Sequence, residues 1–241
     1  MSKLRRKDLL KKQDEFLLKS WSFLDWARAN ARRLLWAGIG AAAVLLGALL
    51  AVNYSKSQEE AAAQALGRAY SLYRTALPAG PASPAAGQAE SALLKVGQEY
   101  NGTLNAAQAK LFLAHLFMLR RDYGQALPLL EDLSGESGLA AYLEAMSQGE
   151  RGQCLEELGR LEEAEKAYAR AAELSGANSS ALWRMSQART LALQGQEEPA
   201  RILYEQIIAS AFSPLLQNGA AQALVRMGIS PPDSSLPFLR P

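Results

Sequence analysis

The chain has 241 residues, 49% hydrophobic and 21% charged, so it is long enough for one or two folded domains with sizeable cores. Its formal net charge of +2 excludes the strongly basic composition that is typical of nucleic-acid-binding proteins. A single cysteine and a single histidine exclude an intrachain disulfide and a cluster of His and Cys metal ligands. We therefore expect no metal and no cofactor.

Residues 1–33 form the first predicted segment, a basic cytoplasmic tail. They contain ten Lys or Arg residues against four Asp or Glu residues, whereas residues 55–241 carry a net charge of −4. Residues 7–31 place apolar and aromatic side chains at helical spacing among basic ones. This pattern predicts an amphipathic helix at a membrane interface, and the alternative is a helix that packs against a partner protein. A membrane surface accounts for the basic residues, so we expect no DNA partner.

Residues 34–54 form the second predicted segment, a transmembrane helix. The nineteen residues Leu34–Val52 carry no charge, and as a helix they measure about 28 Å, close to the ~30 Å of bilayer hydrocarbon. Export signals have an apolar core of only about 7–15 residues, which favours a retained anchor over a cleaved signal or a buried helix. The run Gly38-Ile39-Gly40-Ala41-Ala42-Ala43 resembles a dinucleotide-binding loop only as a string, because a basic segment rather than a strand precedes it.

The charges beside this segment predict its orientation. Basic residues concentrate on its N-terminal side, so the positive-inside rule places the N-terminus in the cytoplasm and residues 55–241 outside it. Ala43, Gly47 and Ala51 repeat every four residues. Small side chains on one stripe of a membrane helix allow a second helix to approach closely, which predicts transmembrane packing at these positions. The alternative is that an Ala-rich sequence produces such spacing by chance.

Residues 55–228 contain a repeating pattern, clearest in residues 145–178. The pattern describes two antiparallel helices in which Gly152 and Ala164 allow a close approach. Gly159 ends the first helix in a backbone conformation that other residues adopt at a cost. Tyr168 and Ala171 face the next pair.

The same signature recurs from about Ala107 and from about Ala181, and it resembles the 34-residue tetratricopeptide repeat. A degenerate copy spans residues 66–96, with a Pro-rich insertion at residues 78–87. Ser213 and Pro214 predict the start of a capping helix that ends near Met227, and residues 229–241 are expected to be irregular. The resemblance implies an all-α protein: a single N-terminal transmembrane helix followed by an α-solenoid of about four helix pairs.

In such solenoids the first helices of the pairs line a concave surface. The repeat phase places apolar side chains and a few polar ones there, a composition that suits an extended or partly folded polypeptide. The alternative is that neighbouring helices cover many of these side chains. The predicted groove residues are Leu111, His115, Met118, Leu119, Met146, Gln153, Glu156, Leu182, Met185, Arg189 and Leu193.

No catalytic arrangement is recognisable in the sequence. The acidic stretch 156–165 has the helical spacing of a solvated face, His115 lies in an apolar stretch, and Cys154 is expected to be a small packing residue. We therefore expect no enzyme activity.

The order of segments over residues 33–228, a single apolar span followed by tetratricopeptide-like repeats, is similar to that of a bacterial family. Its members are single-span tetratricopeptide proteins regarded as ancillary subunits of the Sec translocon. This resemblance implies an inner-membrane protein with a cytoplasmic N-terminus and a periplasmic repeat domain. It also implies protein partners, namely exported polypeptides and translocon subunits, and no small-molecule substrate. The alternative function is a structural scaffold for a cell-wall or outer-membrane complex.

Overall fold

The computed structural model describes residues 26, 28–135, 140–210 and 213–231, and the regular secondary structure in these residues is entirely helical. The chain divides into two compact units, residues 1–57 and 58–241. The helices are α1 (Ala31–Ala79), α2 (Pro84–Glu99), α3 (Leu104–Leu119), α4 (Tyr123–Gly135), α5 (Ala141–Glu157), α6 (Leu161–Leu174), α7 (Ala177–Leu193), α8 (Glu197–Ser210) and α9 (Pro214–Arg226).

The first part of α1 contains the predicted transmembrane segment. Its large apolar side chains between residues 34 and 52 are 42–72% exposed, and no residue of this stretch is buried. The helix is long and apolar enough to cross a membrane by length and composition. The predicted amphipathic helix at residues 7–31 falls almost wholly outside the described residues.

The second part of α1 belongs to the repeat unit and has a different pattern. Its buried residues recur every three or four positions, which is the spacing of one helix face packed on a core. They are Ala62, Leu66, Ala69, Tyr73 and Ala76. From α2 to α9 each helix contacts the next, and α3 also contacts α5, as α7 contacts α9. This stacking of helix pairs confirms the predicted all-α architecture.

The buried side chains form two clusters. The first draws on α1 to α6 and includes Leu93, Leu130 and Leu155, none of which is accessible to solvent. The second draws on α7 to α9 and is centred on Tyr204, Ile207 and Leu224. Both clusters use alanine where helices approach closely, as predicted for Ala164.

Three first helices end in the same way. Gly159 and Gly195 follow the last turns of α5 and α7 with φ angles of 75° and 76°. The residue after each glycine donates its N–H to a carbonyl five residues back, which is a Schellman ending. At the same place after α3 stands Arg121, with φ 61°. This left-handed conformation is sterically costly for a side chain that has a Cβ atom.

The Pro-rich segment at residues 78–87 differs from its prediction as an inserted loop. Pro78 lies in the last turn of α1, and Pro84 occupies the first turn of α2, with Ser83 accepting a capping hydrogen bond from the N–H of Ala86. Only residues 80–83 connect the two helices. Most of the extra length is therefore helical, and Pro84 fits at the start of α2 because proline is tolerated in the first turn of a helix.

The end of the described chain agrees with the predicted capping helix. Ser213 is the N-cap of α9, Pro214 is its first residue, and Gly228 follows its end with φ 76°. Residues 229–231 have no regular structure, and residues 232–241 fall outside the described residues.

Candidate functional site

The first and second helices of the repeats differ in how many large apolar side chains they expose to solvent. Among the described large apolar side chains, the second helices α2, α4, α6 and α8 expose only Leu94 and Ile202. The first helices α1, α3, α5 and α7 expose more, and we call the surface that carries the following six side chains the first-helix face. They are 40–60% exposed: Tyr70, Leu119, Tyr142, Met146, Leu182 and Leu193.

The predicted groove residues fall into two groups. Nine are exposed or half-exposed on α3, α5 and α7, and their role in a binding groove stays a prediction: His115, Leu119, Met146, Gln153, Glu156, Leu182, Met185, Arg189 and Leu193. Leu111 and Met118 are only 3% and 8% exposed, so their prediction as groove residues is wrong. α3 is packed on most of its circumference, and its accessible stripe is Gln108, Phe112, His115 and Leu119.

An aromatic cluster joins α1 to α3 on the first-helix face. The ring centroid of Phe112 lies 5.1 Å from those of Tyr70 and Tyr73, and the two tyrosine centroids are 5.9 Å apart. The imidazole of His115 meets Tyr73 edge-on, with 6.2 Å between centroids. Such distances are typical of attractive aromatic pairs. The cluster packs α1 against α3 through ring contacts at this end of the face.

Polar side chains join α3 to α5. The amide of Gln108 donates to the hydroxyl oxygen of Tyr142 across 2.6 Å. His115 Nδ1 lies 3.5 Å from Glu150 Oε1, and the hydrogen bond to Glu150 raises the pKa of His115 despite partial burial. Among the described residues, the second carboxylate oxygen of Glu150 is buried without a hydrogen-bond partner. His115 is therefore a half-exposed residue of the face that forms an ion pair with Glu150 when its imidazole is protonated.

Two glycines let aromatic rings lie directly over α5. A Cβ atom on Gly149 would stand 2.3 Å from Cη2 of Trp183, and one on Gly152 would stand 2.7 Å from Cδ1 of Tyr168. Trp183 and Tyr168 are stacked, with 6.4 Å between centroids. The repeat signature predicts the close approach at Gly152. The role of Gly149 was missed, because Trp183 comes from the next helix pair.

A charged network lies beside these rings, between α5 and α7. Arg189 donates to both carboxylate oxygens of Glu156 at 2.8 and 3.1 Å, and Tyr168 donates its hydroxyl to Glu156 at 3.0 Å. The adjoining cavity of about 630 Å³ is bordered by Gln153, Leu182 and Trp183. Bidentate Arg–carboxylate pairs have a defined geometry, so this network fixes α7 against α5.

A second cavity, of about 470 Å³, lies between α7 and α9. Its wall is mainly apolar and includes Met185, Leu193, Tyr204 and Met227. Arg189 and Arg226 also border it. Three predicted groove residues, Met185, Arg189 and Leu193, thus border the same cavity.

The nucleophilic and acidic residues have structural partners. Cys154 is buried and its thiol lies 3.4 Å from the carbonyl oxygen of Tyr123, while burial raises its pKa to about 11. Glu163 pairs with Arg160 at 2.7 Å, and Glu165 accepts a hydrogen bond from Gln187. Within the described residues, no three His, Cys, Asp or Glu side chains converge as metal ligands.

Glu59 has a structural contact that sequence reasoning missed. Its carboxylate accepts hydrogen bonds from the backbone N–H groups of Leu104 and Asn105, at 3.2 Å each, and so caps α3. These donors are the unsatisfied groups at a helix N-terminus, and a carboxylate is favoured there. The partners are 45 and 46 residues apart, so no local pattern signals the contact.

The small-residue stripe of the apolar stretch lies exposed. Ala43, Gly47 and Ala51 are all exposed, and among the described residues a Cβ atom on Gly47 would meet nothing within 4 Å. Transmembrane packing at these three residues stays a prediction.

The fold and the face together define the class: an all-helical protein of tetratricopeptide-like repeats that has one long apolar N-terminal helix. No protein-family profile and no curated protein matches the sequence. Solved structures do match. Two are of a protein of Podosopora anserina described as a kinesin light chain, with nearly identical TPR-like repeats, and one of the two is of a single-substitution variant.

Each of these structures is 19% identical to the chain and covers 72% of it and 86% of its own length, with TM-scores of 0.51 and 0.50. Likeness at this level of identity establishes the repeat fold.

Proposed function

We propose that this protein is a membrane-anchored module that binds other polypeptides through the first-helix face. The observation that carries the proposal is the asymmetry between helices, since the first helices expose more large apolar side chains than the second helices, which expose only Leu94 and Ile202 among the described residues. Contiguous exposed apolar surface on a soluble domain marks a binding site more often than chance. Solenoids of helix pairs also commonly bind other proteins.

The chemistry of the face favours an extended peptide with apolar side chains. Tyr142 and Met146 supply an aromatic ring and a flexible thioether that adapts to different side chains. Gln153 is exposed beside them and offers an amide that hydrogen-bonds a peptide backbone. Such a surface suits clients that share apolar character rather than one sequence.

The anchor in this proposal is the apolar stretch of α1. Its exposed side chains suit lipid better than water. The basic tail keeps the N-terminus in the cytoplasm and the repeat domain on the periplasmic side of a bacterial inner membrane. In the finer form of the proposal, which rests on the resemblance to translocon-associated proteins, the clients are exported polypeptides beside the Sec translocon.

A scaffold for an envelope complex is the second candidate. Cross-helix pairs such as His115–Glu150 and Arg189–Glu156 already occupy part of the first-helix face. A face partly filled by its own side chains favours a fixed protein partner over many unfolded clients.

Site-specific photo-crosslinking in intact membranes tests the proposal. A benzophenone amino acid at Met146 should yield polypeptide adducts, and the same probe at Leu94, an equally exposed position on a second helix, should yield few. Adducts with exported polypeptides or translocon subunits support the first form, and one defined envelope protein supports the scaffold. Equal adduct yields at the two positions would contradict the first-helix face as the binding site.

Orientation has its own test. A reporter fused after Pro241 that is active only outside the cytoplasm should be active, and a reporter active only in the cytoplasm should be silent. The reverse pattern would overturn the proposed topology.

A further inference from the structure

A cavity of about 460 Å³ lies at the N-terminal end of the apolar stretch of α1. The residues that line it are Ala29, Asn30, Arg32, Arg33 and Trp36. Leu34 donates its N–H to the carbonyl oxygen of Asn30 at 3.0 Å, so the helical spacing continues through this segment. Residues three or four positions apart share one side of a helix. Arg32, Arg33 and Trp36 are therefore grouped on one side of the chain, where the charged and apolar parts of the sequence meet.

The two guanidinium groups of this cavity are available to a ligand. Both arginines are exposed, and among the described residues neither side chain forms a hydrogen bond or an ion pair. In the repeat unit, by contrast, Arg120 is paired with Glu90 and Arg189 with Glu156. The planar guanidinium fork matches the geometry of two phosphate or carboxylate oxygens. An anionic ligand therefore suits this end of the helix.

The cavity also borders an apolar surface. Leu34, Leu35 and Trp36 are 42%, 62% and 63% exposed, and the next charged residue in the sequence is Lys56. A ligand that contacts both parts must carry its negative charge at one end and apolar chains at the other. Trp36 lies about 5 Å along the helix axis from the arginines, and indole rings favour the boundary between headgroups and acyl chains.

We propose that Arg32, Arg33 and Trp36 form a binding site for the phosphate group of an anionic phospholipid. The guanidinium groups donate to the phosphate oxygens, and the acyl chains lie along the exposed apolar stretch of α1. A zwitterionic choline lipid binds less well, because it brings its own positive charge close to the two arginines. This proposal rests on the membrane anchor proposed above and adds the class of lipid that the anchor binds.

Photo-crosslinking with lipid probes tests this site on the full chain in nanodiscs. Two probes carry the same diazirine near the glycerol end of one acyl chain, and they differ only in a phosphatidylglycerol or a phosphatidylcholine headgroup. The phosphatidylglycerol probe should give about fivefold more adducts within residues 29–40, since each basic residue near a membrane surface favours anionic lipid by roughly this factor. Arg32→Gln/Arg33→Gln should reduce the ratio of the two yields to about one.

Two control variants separate this site from positive charge in general. Arg5→Gln/Arg6→Gln removes the same two charges from the same side of the apolar stretch and should leave the ratio nearly unchanged. Arg32→Lys/Arg33→Lys keeps both charges, and so the orientation expected from the positive-inside rule, but removes the planar forks. It should lower the ratio about twofold or more.

Four outcomes would overturn the proposal. The first is equal labelling of the unaltered chain by the two probes, and the second is a ratio that Arg32→Gln/Arg33→Gln leaves intact. The third is an equal loss in Arg5→Gln/Arg6→Gln, which would assign the preference to net charge alone. The fourth is a loss caused by excess inorganic phosphate but not by chloride at the same ionic strength, which would assign the cavity to the free ion.

A spin label at Leu46 distinguishes failure of this proposal from failure of the anchor. If that label is shielded from a water-soluble nickel chelate while the two lipid probes react equally, the lipid site is wrong and the anchor stands. If the label is open to the chelate, the anchor itself is wrong and the lipid site fails with it.

Discussion

Two regions of this molecule use apolar residues in opposite ways. Between residues 34 and 52 the large apolar side chains of α1 are exposed all around the helix, whereas from Ala62 onwards the same helix buries one face and exposes the other. A helix that is apolar on every side needs an apolar surrounding, and a helix with one apolar stripe needs a core. The first stretch therefore has no core of its own among the described residues, whereas the second contributes one face to the repeat core.

The largest expected effect comes from truncating one leucine to alanine in each region and comparing the losses of stability. Leu155→Ala removes a fully buried side chain from the repeat core and should lower the free energy of unfolding by about 2–5 kcal/mol. Leu46→Ala, in the exposed stretch, should leave it unchanged. Urea denaturation followed by circular dichroism measures both, and equal losses would remove the distinction between the regions.

A glycine comparison tests the close packing of the repeat region. Gly149→Leu forces a side chain into the ring of Trp183 and should cost about 1–3 kcal/mol of stability. Gly67→Ala, on α1 where a Cβ atom meets nothing within 4 Å, should stabilise the helix by about 0.5–1 kcal/mol. Thermal unfolding measures the signs, and destabilisation by Gly67→Ala would contradict the structure of the second part of α1.

One substitution should make the repeat region more regular. Arg121 has a left-handed conformation where the later repeats have glycine, so Arg121→Gly should stabilise the protein by about 1 kcal/mol. Gly159→Ala makes the opposite change at the corresponding turn after α5, because it adds a Cβ atom to a left-handed residue. It should destabilise the protein by a similar amount. Both changes show as shifts of the denaturation midpoint, and a loss of stability in Arg121→Gly would contradict the assigned turn.

The smallest effect concerns pH and belongs to the repeat region alone, since residues 34–52 contain no titratable side chain. Glu150 raises the pKa of His115, so the folded protein holds that proton more tightly than the unfolded chain. The pair should therefore stabilise fully below about pH 6.5 and lose this contribution as pH rises through the folded-state pKa.

This contribution is modest, because His115 is about 39% exposed at its side chain and exposed pairs contribute less than about 1 kcal/mol. His115→Gln should flatten this part of the pH profile of stability. An unchanged profile in His115→Gln would mean that the pair has no effect on folding.

The features that the sequence predicted correctly are local ones. The helical pattern, the close approach at Gly152, the turn at Gly159 and the start of α9 at Ser213 each depend on a few neighbouring residues, and all are confirmed. The face of α3 was predicted with the wrong phase at Leu111 and Met118. That helix is apolar on most of its circumference, so its hydrophobic pattern does not indicate which side is open.

The features that were missed are those that join distant parts of the chain. The cap that Glu59 provides for α3 and the place of Trp183 over Gly149 link residues more than thirty positions apart. Arg121 was missed for a different reason: a turn that usually takes glycine gives no signal when another residue occupies it.

Spin labelling in lipid bilayers compares the surroundings of the two regions most directly. Labels are placed at Leu46 in the apolar stretch and at Leu94 on α2, both exposed, while the buried Cys154, whose thiol pKa is raised, should not react. The Leu46 label should collide with dissolved oxygen far more than with a water-soluble nickel chelate, and the Leu94 label should show the reverse. Equal nickel accessibility at both positions would contradict a membrane anchor.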